Sequence, residues 1–297
     1  MRMSDRRLSK SVGCIVLACL MALFVAVPVL GQTRVVTLVG AGDIAYCGGT
    51  RDTATARLLA NIPGTVFTLG DNVYDNGTAS EFKNCYRPTW GKFKKRTRPS
   101  PGNHDYYSPE ARPYYNYFGR RAGRASRGYY SYNRGAWHII ALNSNCGKVG
   151  GCGVRSKQGR WLRRDLARHP RKCTLAYFHH PLFSSNAPDT AVRPFWQILH
   201  KRNADVILSG HAHSYERFAP QTPGGRKNIK RGIRQFTVGT GGKPPLRPFA
   251  KRPPNIQVRN DKTPGVLKLD LNRGSYKWKF VAVAGKTFTD SGTNQCH

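Results

Sequence analysis

The sequence of 297 residues predicts an α/β fold, and two features of its pattern indicate this. From Arg34 onward, short runs rich in β-branched residues alternate with stretches of helical spacing. Five apolar runs are each followed by a short polar cluster, and ligands in open α/β sheets bind beyond the carboxyl ends of the strands. The clusters are Gly42-Asp43, Gly70-Asp71-Asn72-Val73-Tyr74, Gly102-Asn103-His104-Asp105, His179-His180-Pro181 and Gly210-His211-Ala212-His213.

The elements follow from the same pattern in chain order. We predict strands at 35–39, 65–69, 174–178 and 206–208, and helices at 53–60, 79–86 and 158–166. Residues 129–132 and 137–142 read as a hairpin with Arg134-Gly135 at its turn. After residue 219 the chain is rich in Pro, Gly and basic residues, and strands at 235–238, 266–270 and 276–283 are expected to form a second sheet.

The N-terminus has the pattern of a targeting segment. Four basic residues precede an almost uninterrupted apolar run over 12–30. This predicts a signal peptide or an N-terminal membrane anchor over residues 1–31, since the run approaches the roughly 20 residues that span a bilayer. Residues 32–297 are then one domain, exported and either secreted or held at the cell envelope.

The chain is strongly basic, with a formal net charge of +34. Basic groups recur along its whole length, so we expect nonspecific attraction to anionic envelope polymers or nucleic acid, with a steep salt dependence. Specific nucleic-acid recognition is not expected, because the sequence has no zinc finger, basic zipper or RNA-recognition motif. The groups are Lys94-Lys95-Arg96, Arg120-Arg121, Arg163-Arg164, Arg171-Lys172 and 226–234.

Six of the eight cysteines lie outside the leader. An even number in an exported protein favours disulfides, although many connectivities are open. Cys146 and Cys152 enclose a Gly-rich turn and are the first expected pair. We also expect Cys47 with Cys85 and Cys173 with Cys296. The alternative, a cysteine zinc site, lacks the Cys-x-x-Cys spacing typical of such sites.

The polar clusters supply the ligands of a two-metal hydrolase. Taken singly, a Gly-Asp pair is usually a turn and a buried His a core residue, but the ordered set favours a metal centre. Two ions about 3.5 to 4 Å apart need a bridging carboxylate and terminal ligands on each side. The expected ligands are Asp71 as the bridge, Asp43 and His213 on the first metal, and Asn103, His179 and His211 on the second. Tyr74 can reach the first metal as a phenolate, a hard donor that favours iron(III).

These motifs together resemble the purple acid phosphatases within the calcineurin-like metallophosphoesterase superfamily. The resemblance covers roughly residues 34–285, and the stretch 211–217 is especially like the plant-type members. It implies a four-layer αββα sandwich, two mixed β-sheets flanked by helices, with the metals at the central edge. Residues 32–297 would be a metallophosphoesterase catalytic domain of the compact single-domain form.

The chain departs from the family pattern in the first and fourth motifs. Ala45 stands where the family has Gly and the wider superfamily His, so the first metal depends on Tyr74. The fourth motif has two histidines, and the family's His-x-Pro pattern makes His179 the ligand. His180 then supports the ligand or contacts substrate.

The resemblance also implies a mechanism. Two metal ions, iron(III) plus a divalent iron, zinc or manganese, would generate a metal-bound hydroxide that attacks a phosphomonoester. His104 would protonate the leaving oxygen; the alternative is that it only hydrogen-bonds Asp71 or Asp105. We list Asp105 and His180 as candidate substrate contacts. Five tyrosines after the third motif, among them Tyr107, either form a lid over the leaving group or pack a long loop.

Two other functions remain open from the sequence. The same centre would serve a phosphodiesterase or nucleotide pyrophosphatase, and a non-catalytic envelope protein could bind polyanions through its charge alone. The sequence lacks Gly-x-Ser-x-Gly and Walker motifs, which argues against serine hydrolases and P-loop enzymes.

Overall fold

The computed structural model of the protein describes Met1 and residues 35–297. The leader predicted over 1–31 therefore lies outside the described residues, apart from Met1. No helix within 35–297 combines the length and the apolar character needed to cross a membrane.

The described chain folds into strands and helices that alternate over its first two thirds. The strands are β1 (Val36–Ala41), β2 (Ala45–Tyr46), β3 (Thr65–Leu69), β4 (Val73–Tyr74), β5 (Thr97–Ser100), β6 (Tyr130–Arg134), β7 (Trp137–Ala141), β8 (Cys173–Tyr177), β9 (Val206–Ser209), β10 (Tyr215–Phe218), β11 (Arg234–Val238), β12 (Ile256–Asn260), β13 (Gly265–Leu271), β14 (Ser275–Ala282) and β15 (Ser291–Gln295). The α-helices are α1 (Arg51–Asn61), α2 (Ala79–Glu81), α3 (Arg112–Phe118), α4 (Lys157–Arg168) and α5 (Arg193–Lys201).

Two mixed sheets form the centre of the fold. The first has the order β15-β14-β13-β1-β3-β5, in which β1, β3 and β5 are parallel and the remaining neighbours antiparallel. The second has the order β12-β10-β11-β9-β8-β7-β6, with β11, β9, β8 and β7 parallel. Strands β2 and β4 form a small separate pair.

The core lies between the two sheets and continues under the helices. Alternate residues of a strand point to opposite faces, so Tyr177 of β8 meets Phe67 of the first sheet, with ring centroids 6.2 Å apart. Its neighbour Phe178 turns to the other side and packs on Phe195 of α5, at 5.8 Å. Helix α4 packs on the same outer face, and α1 packs on the first sheet through Leu59. The layers are therefore helix, sheet, sheet, helix.

The predicted α/β class and αββα layering are confirmed, and most elements lie where the sequence pattern indicated. One expectation is wrong. The strands after residue 219 do not form a sheet of their own, because β13 pairs with β1 in the first sheet while β11 pairs with β9 in the second. Strand pairing depends on contacts distant in sequence, which local periodicity does not contain.

Three disulfides cross-link the described chain, and their pairs are those expected from the sequence. They are Cys47–Cys85, Cys146–Cys152 and Cys173–Cys296. The last joins the start of β8 to the end of the chain and spans 123 residues. Three disulfides are typical of a protein that folds in an oxidising compartment.

Candidate metal centre

The five polar clusters meet at one edge of the fold. Asp43, Asp71 and Asn103 follow β1, β3 and β5, which run parallel in the first sheet. His179 and His211 follow β8 and β9, which run parallel in the second sheet. The carboxyl ends of both parallel sets therefore lie side by side where the two sheets face each other.

One ligand group forms around the hydroxyl of Tyr74. This hydroxyl lies 2.7 Å from Asp43 Oδ1 and 2.8 Å from Asp71 Oδ2, and the two carboxylates share its single proton. His213 Nε2 lies 3.1 Å from the same hydroxyl and 3.3 Å from Asp43 Oδ1. All four side chains are buried, so two carboxylates, a phenol and an imidazole converge away from bulk solvent.

A second group forms around His179. Its Nε2 atom lies 3.0 Å from Asn103 Oδ1, 3.2 Å from His211 Nδ1 and 3.3 Å from Asp71 Oδ2. Its Nδ1 atom lies 2.6 Å from the Leu69 carbonyl and donates to it, which directs Nε2 at the group. Asp71 Oδ2 belongs to both groups and is the atom that joins them.

The backbone at these ligands is unusual. Asp43, Asp71, His211 and His213 have φ angles of 59°, 48°, 68° and 49°, in the left-handed region that residues other than glycine rarely adopt. Such strain is concentrated at functional sites, where the surrounding structure maintains it. The sharp turns let consecutive loops direct side chains into one small volume.

Glycine is required beside the ligands because of close packing. A Cβ atom at Gly102 would lie 2.1 Å from Asp71 Oδ1, and one at Gly70 would lie 2.5 Å from His179 Nδ1. The same carboxylate oxygen of Asp71 accepts the backbone N–H of His104 at 2.8 Å. The Gly-Asp and Gly-Asn-His patterns in the sequence thus reflect direct contact between neighbouring ligand loops.

The electrostatics of the centre favour cations. Burial opposes ionisation of Asp43 and Asp71, but His213 beside Asp43 and His179 beside Asp71 outweigh it and hold both pKa values below the usual range. Burial and the two carboxylates raise the pKa of Tyr74 well above its usual value. Two carboxylates are therefore held together by a phenol proton, at a place where a metal ion would satisfy the same oxygen atoms.

The donor set fits two metal ions. Hard oxygen donors with one imidazole suit a trivalent or hard divalent ion at the Tyr74 group. Two imidazoles, an amide oxygen and a carboxylate suit a divalent transition metal at the His179 group. The contacts of 3.0 to 3.3 Å between His179 Nε2 and its neighbours are close enough for these atoms to share one ion.

His104 lies at the rim of the centre with part of its side chain exposed. Its Nδ1 atom is 2.6 Å from the Asp75 carbonyl, and its Nε2 atom is 4.0 Å from Asp71 Oδ2, beyond hydrogen-bond range. Its ring packs between Tyr74 and Tyr107, with centroids 4.3 and 4.5 Å away. The side chain is fixed through Asp75, while Nε2 is directed toward the ligand groups.

The two candidate substrate contacts occupy different positions. His180 lies beside His211, with ring centroids 4.6 Å apart, and its Nδ1 atom is 2.8 Å from the Ser144 hydroxyl. Asp105 is 0% exposed and accepts from the Gly102 backbone at 2.8 Å and from Asn72 Nδ2 at 2.9 Å. Asp105 is therefore out of reach of a substrate, because its carboxylate turns inward to support the loop.

The tyrosines after the third motif mostly pack the loop. Tyr106, Tyr114 and Tyr115 are buried, whereas Tyr107 is 59% exposed. Only Tyr107 of these stands beside His104 at the open side of the centre.

Sequence reasoning missed Lys243. Its ammonium group is 2.5 Å from Asp75 Oδ1 and lies over the rings of Tyr46 and Tyr74, at 3.9 and 4.8 Å from their centroids. Its backbone N–H donates to the Asp43 carbonyl at 2.9 Å. The only signal in the sequence is its place directly after Gly241-Gly242, a turn that packs on the first motif through a Gly241 to Gly42 hydrogen bond.

Comparisons with known proteins identify the family of this chain. The calcineurin-like phosphoesterase family profile matches residues 31–215, more than half of the chain. A probable purple acid phosphatase 20 of Arabidopsis thaliana is 28% identical over 166 residues, 46% of this chain and 38% of that protein. Purple acid phosphatase 1 of Ipomoea batatas is 28% identical over 204 residues, 59% of this chain and 41% of that protein. The chain thus spans about two fifths of the length of these curated relatives.

Two solved structures share the fold over most of the chain. Purple acid phosphatase PPD1 from yellow lupin superposes with a TM-score of 0.71 at 18% identity, covering 89% of this chain and 54% of that one. GAP50, described as the anchor in the inner membrane complex of Plasmodium, superposes with a TM-score of 0.65 at 14% identity, covering 89% of both chains. At these identities the structural likeness shows the fold, and the family profile shows the family. The chain therefore belongs to the calcineurin-like phosphoesterase family and, within it, is similar to the purple acid phosphatases.

Proposed function

We propose that the protein is an exported phosphatase that holds two metal ions and hydrolyses phosphomonoesters, with His104 as the general acid. The position of Asp71 carries this proposal. Its Oδ2 atom lies 2.8 Å from the Tyr74 hydroxyl in one group and 3.3 Å from His179 Nε2 in the other. A carboxylate oxygen shared by two convergent donor sets is what a bridging ligand requires.

The ligand sets follow from the two groups. Asp43, Tyr74 and His213 would hold an iron(III) ion, Asn103, His179 and His211 would hold a divalent iron, zinc or manganese ion, and Asp71 would bridge them. Ions held by these residues would supply a more acidic water molecule as the nucleophile and positive charge beside the phosphoryl oxygens. The sharply turned His211-Ala212-His213 segment directs its two imidazoles to different groups, so one short loop serves both.

The role of His104 rests on its two nitrogen contacts. With both nitrogens protonated, Nδ1–H is held by the Asp75 carbonyl at 2.6 Å, and Nε2–H is left for the leaving oxygen. Tyr107 packs on the outer face of the ring and restricts its rotation. Lys243 fixes Asp75 and so acts as a positioning residue for His104.

Export is supported by the three disulfides, by the leader pattern of the sequence and by the similarity to purple acid phosphatases. His180 is proposed to support His211 and to line the open side of the second group.

The test is metal analysis combined with a visible spectrum of the purified protein. We expect two metal ions per chain and an absorption band from tyrosinate bound to iron(III), which Tyr74→Phe abolishes. The matched control, Tyr86→Phe, changes a fully buried tyrosine outside both groups and should leave the band intact. A colourless, active enzyme that holds only zinc or manganese would contradict the iron assignment.

Turnover distinguishes the alternative functions. We expect a higher kcat/KM for phosphomonoesters than for phosphodiesters and nucleotide pyrophosphates. The reverse order would assign the same centre to a phosphodiesterase. A non-catalytic role in polyanion binding is the other alternative, since one fold serves unrelated functions and GAP50, which shares this fold, is described as an anchor. A protein that binds polyanions but neither metal nor phosphoester would support that role.

A further inference from the structure

Five arginines line two adjoining pockets that none of the candidate metal ligands lines. The pockets measure ≈ 440 and ≈ 430 Å³ and share Arg120, Tyr130 and Ser131. They lie at β5 and β6, where both sheets end, and the Tyr130 hydroxyl joins the two edges by donating to the Pro99 carbonyl at 2.8 Å. We call this surface the arginine groove; its arginines are Arg98, Arg120, Arg121, Arg124 and Arg127.

The guanidinium groups of the arginine groove have no hydrogen-bond or ion-pair partners within the described chain, although that of Arg98 lies over the ring of Tyr132, 5.7 Å from its centroid. Among residues 35–297, none of the five donates a side-chain hydrogen bond or lies within 4.0 Å of a carboxylate oxygen, and the Nε atom of Arg121 is buried without an acceptor. Arg217, by contrast, forms an ion pair with Asp290, in which Nε lies 2.7 Å from a carboxylate oxygen. Like charges gathered without a counterion favour binding of an external anion.

The single carboxylate that lines the arginine groove does not neutralise it. Asp165 accepts from the Ser131 hydroxyl at 2.8 Å and is 2.8 Å from His138 Nε2, so its oxygens are already engaged. The five cations thus face the pockets without compensation. Arginine, unlike lysine, presents a planar fork that matches two phosphate oxygens at once.

The aromatic rings of the arginine groove are occupied by one another. Tyr130 stacks on Tyr132, with centroids 6.3 Å apart, and Trp161 packs on Tyr129 at 4.9 Å. Proteins that bind single-stranded nucleic acid offer open aromatic faces on which bases stack. Here the rings form walls, and the groups that face outward are guanidiniums. This chemistry favours a bare phosphate chain over a polymer of stacked bases.

We infer that the arginine groove is a binding site for a linear phosphate polyanion. Successive phosphates would each accept paired hydrogen bonds from one guanidinium. The buried side chain of Asn143 connects this surface to the third motif, since it donates to the Arg127 carbonyl at 3.0 Å and to the Tyr106 hydroxyl at 2.8 Å. Tyr106 belongs to the loop that carries His104. Binding at this surface does not depend on the proposed hydrolysis.

The experiment compares two triple variants of the full-length protein. R120Q/R124Q/R127Q removes three exposed charges from the groove, and R226Q/K227Q/K230Q removes three exposed charges from a loop that does not line it. Affinity for linear polyphosphate is measured by titration at several salt concentrations. A gel of the polymer after each titration shows that its length has not changed.

We expect the groove variant to bind polyphosphate about tenfold or more weakly than the loop variant. The slope of log affinity against log salt should become shallower by about two in the groove variant alone. The two variants should differ far less in their affinity for polyglutamate, because its carboxylates are on separate side chains and are not linked in one chain as phosphates are. R120K/R124K/R127K should bind polyphosphate several-fold more weakly than the unmodified protein, because lysine keeps the charge but loses the fork.

Equal losses in the two glutamine variants, with no loss in the lysine variant, would overturn the site and leave only the general basic field. Tighter binding of single-stranded DNA than of polyphosphate, lost in the groove variant, would overturn the assignment of the ligand in favour of nucleic acid. All substituted residues are exposed, so a thermal melt is a sufficient check of folding.

Discussion

Two clusters of histidine and aspartate in this protein are alike in composition but differ in how their nitrogen and oxygen atoms are arranged and hydrogen-bonded. One is the candidate metal centre around Asp71. The other comprises His138 on β7, Asp165 in the C-terminal half of α4 and His169 directly after that helix. In the second, His138 Nδ1 is 2.8 Å from Asn133 Oδ1 and Nε2 is 2.8 Å from Asp165 Oδ2. Both nitrogens of His138 have oxygen partners, and His169 Nδ1 lies 2.9 Å from the Asp165 carbonyl, so the cluster holds itself together by its own hydrogen bonds.

The backbone separates the two clusters further. His138 and Asp165 sit on a regular strand and helix, whereas Asp43, Asp71, His211 and His213 take left-handed conformations on loops. At Asp71, the oxygens and nitrogens of several loops converge on common points. Composition and proximity alone would assign a metal to both clusters. The convergence of donors and the strained backbone favour a metal only at the first.

The largest difference between the two clusters is expected when the shared carboxylate of Asp71 is removed. We expect Asp71→Asn to lose bound metal and to lower kcat/KM by about a thousandfold or more, because several kcal/mol of charge stabilisation depend on both ions. Metal analysis and steady-state kinetics measure this. The matched variant Asp165→Asn should keep both metal content and turnover. Equal metal loss in the two variants would remove the distinction between the clusters.

The next largest effect is expected at His104. His104→Ala should lower kcat for an alkyl phosphate by about a hundredfold or more while metal content stays unchanged. An aryl phosphate with an acidic leaving group should lose much less, since its leaving oxygen needs no proton. His138→Ala should leave kcat per folded molecule unchanged with both substrates. A uniform loss at His104 across leaving groups would argue for a positioning role instead.

Asp165→Ala should affect stability rather than activity. His138 is 1% exposed and would lose the partner of Nε2, which costs about 1 to 3 kcal/mol in the free energy of unfolding. Urea denaturation measures the change, and metal content serves as the internal control. Unchanged stability would mean that solvent or another group replaces the carboxylate.

The smallest effect concerns two Lys–Asp pairs. Lys243→Gln should lower kcat about tenfold, because Asp75 would lose the contact that holds its backbone and hence His104. Lys243→Arg should recover part of the loss. Lys268→Gln breaks a pair of 2.8 Å with Asp270 on β13, away from the centre, and should have no effect on kcat. Equal kcat values for the two glutamine variants would remove Lys243 from the positioning role.

Local pattern was informative wherever function depends on consecutive residues. Three candidate ligands, Asp43, Asp71 and Asn103, come shortly after a strand of the first sheet and directly after a glycine, so they could be predicted from motifs of two to four residues. The disulfide pairs also agree with expectation. The position of Lys243 at the site and the inward orientation of the Asp105 side chain could not be predicted. Local spacing contains neither the orientation of a side chain nor its contacts with residues distant in sequence.

The sequence by itself determined the α/β class, the order of the ligand motifs and the residue types that two metals need, since these follow from periodicity and donor chemistry. Only the tertiary structure decided which strands pair and that Asp71 Oδ2 joins two donor groups. It also decided that His104 is held through Asp75 and that the Asp105 side chain faces inward. The arginine groove likewise exists only in the fold, because it combines Arg98 of β5 with arginines from 120–127. The physical reason is the same in each case: hydrogen bonds and ion pairs act over a few ångströms, and only folding brings residues distant in sequence within that range.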